Sequence, residues 1–249
     1  MAIWEQPHVM SGQPTQIPPQ KPYLGIGMIC QEYVTFQWAM MYALLQKPSP
    51  YSFLYNRNAP YDVAREQVAR GLLQYDPEYI FFLDTDTCLE EPDGLLKLIN
   101  LSKEYDKPLL SGLYYAKKKE EFAMPCAWLK TGENKTENTV QYQTFDIQPH
   151  LNKNALLQVN VAGAGCLLIK SEIFKKLDES NPKKPFFQWG VGRKDELTGK
   201  PLLQASEDFY FMERCANELG IYPHLATSVK CHHICLAQRR ASDGKLEII

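Results

Sequence analysis

The run Tyr79-Ile80-Phe81-Phe82-Leu83-Asp84-Thr85-Asp86-Thr87 ends an apolar stretch in two carboxylates one residue apart. A carboxylate withdrawn from water must be paired, protonated or bound to a cation. Alternation along an extended strand puts Asp84 and Asp86 on the same side. Two acids so placed can hold a hard divalent cation such as Mn²⁺ or Mg²⁺, which prefer oxygen ligands. The bland alternative is that both acids cap the following turn, where Asp is common.

Four further groups carry candidate chemistry. Ser206-Glu207-Asp208 places two acids at a predicted helix start, where capping and the helix dipole alone account for Ser and early acids. Cys231-His232-His233 falls in a predicted strand. Alternation puts His233 on the inward face with Val229 and Cys231, and His232 on the other face. His233 is then a possible metal ligand, or simply a core histidine. In Ala162-Gly163-Ala164-Gly165 the glycines let backbone approach a ligand or a neighbouring element. The stretch precedes a strand, so it is not a GxGxxG fingerprint. Arg65 and Arg70, on a predicted helix, suit phosphates or solvent.

The elements that must position these groups read as strand and helix in alternation. Tyr23–Cys30 suits a buried strand, and Thr35–Gln46 a helix with Phe36, Met40, Ala43 and Leu44 at helical spacing. Tyr51–Tyr55 is a strand, and Tyr61–Tyr75 a helix with Val63, Val68 and Leu72 on one side. After the strand ending at Asp84, Pro92–Tyr105 is a third helix and Leu109–Tyr115 another strand. Three such repeats predict a parallel sheet with helices on its faces. Ligands bind such sheets outside the carboxyl ends of the strands. Cys30-Gln31-Glu32, Asn56-Arg57-Asn58, Asp84-Thr85-Asp86 and Tyr114-Tyr115 all lie there. Lys117–Glu121 is a charge run that reads as a solvated face, and 130–155 as loops or an edge hairpin. A strand follows over 166–169, then a helix from Ser171 to Leu177. Residues 178–200 form a loop with Phe186, Phe187 and Trp189. A helix runs from Ser206 to Leu219 and is closed by Gly220. The last strand is Thr227–Leu236.

Composition narrows the function classes. The 249 residues are 45% hydrophobic and 22% charged, with a formal charge of −2, ordinary for a globular chain. That balance argues against nucleic-acid binding, whose footprint is strongly basic. The seven cysteines are scattered, with no pair of CxxC motifs for a zinc site. Cys231 and Cys235 flank two histidines, but the second half of a zinc knuckle is missing. Cysteine usage, Trp4-Glu5-Gln6 interrupting the start, and the lack of a membrane-length apolar run lead us to expect a cytoplasmic protein. Peripheral attachment to a membrane stays open. Residues 1–22, rich in Pro and Gln, read as a loose arm, and 237–249 as a tail.

Taken in order, these pieces resemble the glycosyltransferases of the GT-A fold and are similar to glycosyltransferase family 2. The matching residues are the early α/β half, Asp84-Thr85-Asp86 as a DxD motif, Gly163–Ile169, Ser206-Glu207-Asp208 and the late His233-Ile234. The resemblance spans about residues 23–236. It implies an α/β fold of GT-A type: a three-layer α/β/α sandwich with a mostly parallel central sheet, forming one catalytic domain. Residues 23–115 would be its nucleotide-binding half and 116–236 its acceptor and metal half. It implies a UDP- or GDP-linked sugar donor, Mn²⁺ or Mg²⁺ across the diphosphate, and transfer to a hydroxyl of a glycan, lipid or protein acceptor. Asp86 would ligate the metal, His233 would complete the shell, and Asp84 would support it or touch the ribose. Cys30, Gln31, Glu32, Asn56, Arg57, Arg65 and Thr85 would surround the nucleotide. Gly163, Ala164 and Gly165 would admit the sugar. Asp208, or failing it Glu207, would be the base of an inverting transfer. Glu66 departs from the pattern, since many relatives have Asn there.

Two other readings compete. A phosphatase of the haloacid dehalogenase class also ends a strand in DxD, with Asp84 as nucleophile. It wants Thr or Val where Cys88 stands, and an earlier place in the chain. The third reading is a nucleotide-sugar-binding module without turnover.

Overall fold

The computed structural model describes residues 21–30, 33–116, 124–151, 153–194, 198–234, 237–239 and 246–248. The first half alternates as the sequence predicts: β1 (Leu24–Cys30), α1 (Phe36–Leu44), β2 (Tyr51–Arg57), α2 (Tyr61–Leu73), β3 (Tyr79–Asp84), β4 (Thr87–Leu89), α3 (Gly94–Glu104) and β5 (Leu109–Leu113). The second half holds a hairpin, β6 (Ala127–Asn134) and β7 (Thr139–Thr144), followed by β8 (Leu156–Gln158), β9 (Val161–Ala162) and β10 (Cys166–Lys170). Then come α4 (Glu172–Ser180), α5 (Glu207–Leu219), β11 (His224–His233) and the pair β12 (Ala237–Arg239) and β13 (Leu246–Ile248).

Eight strands form one sheet in the order β2-β1-β3-β10-β5-β11-β4, with β8 also against β11. The pairs β1–β2, β1–β3 and β5–β11 are parallel. β10 runs antiparallel to both of its neighbours, β3 and β5. The sheet is therefore mixed. β10 returns from the hairpin excursion rather than from a helical crossover, so nothing obliges it to run parallel.

Burial on both faces explains the apolar run of β3. Tyr79, Phe81 and Leu83 pack with Trp38 and Leu45 beside α1 and Leu95, Leu98 and Ile99 of α3. Ile80 and Phe82 pack with Val68 and Leu72 of α2, Phe174 of α4 and Phe211 of α5. Helices thus cover both faces, giving three layers. Thr35 Oγ1 caps α1 by accepting from the Trp38 N–H at 3.1 Å. Gly220 closes α5 at φ +68°, a left-handed position that costs glycine little.

The predicted face of α1 is wrong, and that of α2 holds for Val68 and Leu72 but not for Val63. Phe36, Met40 and Leu44 do share a face of α1, but it points outward; Trp38 and Leu45 are buried, with Met41 and Tyr42 half-buried against them. From Tyr33 to Gln46 the chain carries no charged residue, so no polar face marked the outside. In α2, Val63 is exposed while Ala64, Arg65, Val68, Ala69 and Leu72 are buried. A buried arginine among apolar residues broke the expected pattern. Cys235, Gln31, Glu32, the charge run 117–121 and residues 1–20 lie outside the described residues. Among the described residues no helix is long and apolar enough to cross a membrane.

Candidate functional site

β3 stops at Asp84, and Asp86 sits in the turn to β4, so the two acids diverge rather than sharing one strand face. The turn's backbone is held from three sides. Trp38 Nε1 donates to the Asp84 carbonyl at 2.9 Å, the Asp84 N–H to Gly165 O at 3.0 Å, and the Ile234 N–H to Asp86 O at 2.6 Å. Antiparallel pairing of β4 with β11 places His233 opposite Thr87. His233 Nε2 lies 3.5 Å from Asp86 Oδ2, and its Nδ1 lies 2.9 Å from the Tyr115 carbonyl. His232 is on the other face, 3.7 Å from Glu90.

Asp84 turns toward α2. Arg65 Nη2 donates to Asp84 Oδ2 at 2.8 Å, its Nε to Glu207 Oε1 at 3.2 Å, and its Nη1 to Ala164 O at 3.4 Å. Burial opposes the Arg65 charge, and Asp84 and Glu207 more than offset it, so the guanidinium stays charged. Asp84 Oδ1 is buried and takes no hydrogen bond from the described residues. Asp208 Oδ1 accepts from Ser206 Oγ at 2.5 Å and the Phe209 N–H at 2.9 Å. Burial raises the carboxyl pKa values of Asp84, Glu207 and Asp208; at Glu207 the Asp208 charge adds to it, and Arg65 opposes the rise at all three.

These groups line one cavity of about 370 Å³, with Thr87, Tyr114, Gly163, Ala164, Gly165, Trp128 and Trp189 among its walls. It contains four carboxylates (Asp84, Asp86, Glu207, Asp208) and one guanidinium (Arg65), a formal balance of −3 with His233 neutral. Asn56 and Arg57 end β2, beyond β1, and do not line it; Asn56 Nδ2 donates to Gln67 at 2.6 Å. Thr85 also stays off the wall, its N–H directed to Ile29 O at 3.4 Å. Only the backbone of Cys30 is described.

The glycines have a nearer reason than a ligand. A Cβ on Gly163 would stand 2.1 Å from Tyr114 Oη, and one on Gly165 3.0 Å from it. That buried hydroxyl accepts the Gly165 N–H at 2.9 Å. We predict that Gly163→Ala displaces Tyr114 and costs about 1–3 kcal/mol in urea denaturation. The cost shrinks in a Tyr114→Phe background; an equal cost in both backgrounds would dismiss Tyr114 as the cause.

Sequence reasoning missed Tyr61, Cys126 and Trp128 as wall residues. Trp128 lies on β6, in a stretch with no period to mark its face. It also missed what Glu66 does. Its Oε2 accepts the N–H groups of Phe186 at 2.7 Å and Phe187 at 3.2 Å, while Asp62 Oδ2 accepts from the Trp189 N–H at 3.0 Å. α2 thereby ties down the loop that carries Trp189.

Among the described residues, no three His, Cys, Asp or Glu side chains already converge as a metal cage. No protein-family model matches the chain, and no curated protein matches it. Among solved structures, A197 from STIV is similar at a TM-score of 0.53 and 18% identity, over 90% of this chain and 93% of that one. At that identity the likeness is one of fold.

Proposed function

We propose that the chain is a metal-dependent glycosyltransferase of GT-A type, moving a sugar from a nucleotide-sugar donor to an acceptor hydroxyl. The carrying observation is the cavity at the carboxyl end of β3, with four carboxylates, one buried arginine and His233. A diphosphate would be repelled by a net −3 wall unless a cation accompanied it.

The donor set suits such a cation. A carbonyl only accepts, so the bond to Tyr115 O puts the proton of a neutral His233 on Nδ1. Its Nε2 lies 3.5 Å from Asp86 Oδ2, close enough for both side chains to contribute to one cation. Asp84 Oδ1 is a third, buried acceptor. Mg²⁺-like ions are commonly held by one or two carboxylates plus substrate phosphates rather than by an all-protein cage. Asp86 and His233 would hold the ion, with Asp84 behind them. When bound, it supplies Lewis-acid stabilisation of the charge on the departing nucleoside diphosphate.

The chain's own groups supply the rest. Arg65 is the counter-charge shared by Asp84 and Glu207 and fixes both carboxylates in place. Asp208, its Oδ1 held by Ser206 and Phe209, takes the proton of the acceptor hydroxyl, and a raised pKa moves a carboxylate toward useful basicity. The engagement of Asp84 by Arg65 disfavours its use as a phosphatase nucleophile.

Calorimetry tests the reading. UDP or GDP is expected to bind only with Mn²⁺ or Mg²⁺, and Asp86→Ala to abolish the metal-dependent part. Metal-independent binding, or no binding of either diphosphate, would sink it. Release of nucleoside diphosphate from a nucleotide sugar separates an enzyme from a binding module.

A further inference from the structure

We propose that the chain forms a two-fold dimer by antiparallel pairing of β2 with β2 of a second copy. β2 is the outermost strand of the sheet and, among the described residues, pairs only with β1. Its seven-residue register against β1 runs without a bulge, from Leu24↔Tyr51 to Cys30↔Arg57. The strand Tyr51-Ser52-Phe53-Leu54-Tyr55-Asn56-Arg57 contains no Pro and no Lys. Edge strands of monomers are normally protected by just such devices.

What the edge shows instead is a row of rings. Burial alternates along β2, and Tyr51, Phe53, Tyr55 and Arg57 all lie on the exposed side. Phe53 touches Tyr55 (centroids 6.3 Å apart) and Tyr42 of α1 (5.7 Å), so this is the side on which α1 stands. Tyr51, Phe53 and Tyr55 are 43%, 37% and 62% exposed, and together they present on the order of 300 Å², taking typical areas for side chains of this size. The open backbone edge beside them adds the main-chain hydrogen bonds of strand addition.

The strand complements itself. A two-fold axis at Leu54, normal to the sheet, sets Phe53 opposite Tyr55 of the copy and Tyr51 opposite Arg57 of the copy. Ring pairs and a cation over a ring are both favourable across strands. The same operation keeps the aromatic sides of both copies on one face, so their rows become continuous and both α1 helices stand over it. It separates the two Arg57 charges by about 20 Å at ~3.4 Å per residue. Parallel pairing would bring them together. One Arg and no Lys in the β2 row give anionic lipid little to hold, which favours a second copy as the occupant.

Sedimentation of the full chain over a dilution series tests this without using activity. The expected result is twice the 28.6 kDa chain mass, with hydrogen exchange of 51–57 slowing as concentration rises. Tyr55→Lys is expected to raise the dissociation constant at least tenfold and to abolish that protection, with unchanged circular dichroism. Phe53→Glu should weaken the dimer in the same direction. A monomer throughout the series would overturn the proposal. So would a dimer indifferent to Tyr55→Lys, or a monomer that instead co-sediments with phosphatidylcholine vesicles.

Discussion

Arg65→Met is expected to lower the stability of the folded chain by about 3–5 kcal/mol, the usual cost of leaving buried charge uncompensated. The guanidinium is 3% exposed and serves three acceptors on three segments: Asp84 at the end of β3, Glu207 at the start of α5 and Ala164 before β10. Methionine fills much of the volume but satisfies none of them. Asp84 and Glu207 would then be buried with no counter-charge, and their pKa values, already raised by burial, would rise further. The sign of the pH dependence follows. An acid whose folded pKa lies above its unfolded value binds more protons when folded, so stability is lost as pH rises from the ordinary carboxylate range, about 4, toward the folded pKa. The deficit of Arg65→Met against the wild type should therefore be largest at neutral pH and shrink as pH falls toward ~4. Arg65→Lys keeps the charge but not the fork, and should recover only part of the loss. Urea denaturation at several pH values reads all of this. A loss under about 1 kcal/mol, or one that does not vary with pH, would deny Arg65 its role as the counter-charge.

The same residue shows where sequence reasoning works and where it stops. Alternating strands and helices were legible because each element has its own period and its own stop signals, Pro48, Pro77, Pro108 and Gly220 among them. The division of the core between two faces followed from β3, whose apolar run needs cover on both sides. The inward face of β11 was legible because period two leaves only one choice once Val229 and Cys231 are known to be inside. Helix faces were harder. α1 lacks charges, so a half-apolar surface gave no direction, and the outward row of Phe36, Met40 and Leu44 looked like core. α2 buries Arg65, which periodicity assigns to solvent.

The site was legible as a set of residues more than as an arrangement. Asp84, Asp86, Glu207, Asp208, His233 and the 163–165 turn do meet in one cavity, because a mixed sheet gathers the ends of β3, β5 and β11 with the starts of α5 and β10. The direction of β10 could not be read, since strand orientation depends on a connection without period. Nor could the tie between Tyr114 and Gly163, a contact between segments 49 residues apart whose only sequence trace is a missing side chain. Asn56 and Arg57 mark the limit of arguing from strand ends alone. β1 separates their strand from β3, so a shared sheet edge did not become a shared cavity.

Under the proposed function, Asp208→Asn is expected to reduce the rate of sugar transfer about 10²- to 10⁴-fold, the range for loss of a positioned general base, while leaving nucleoside diphosphate affinity within severalfold. The same change should make the ligand-free chain more stable at neutral pH. Asp208 has its pKa raised by burial, against opposing help from Ser206, Arg65 and backbone N–H groups. A raised carboxylate pKa is a destabilisation that is absent below about pH 4 and complete once pH exceeds the folded value. Asn carries no charge to desolvate, and its side-chain oxygen can still accept from Ser206 and Phe209. The gain should vanish as pH falls toward ~4. Glu207→Gln makes an informative contrast, since Glu207 is bound to Arg65. Losing that charge weakens the ion pair as well as relieving the acid cluster, so its stability gain should be smaller or negative. Both readouts are needed, because a purely structural acid would also change the melting curve. Transfer within tenfold of the wild type would remove Asp208 from the base role. A stability loss at neutral pH would show that Ser206 and Phe209 depend on its charge, making Asp208 the cap of α5 rather than a residue held for chemistry at a cost to the fold.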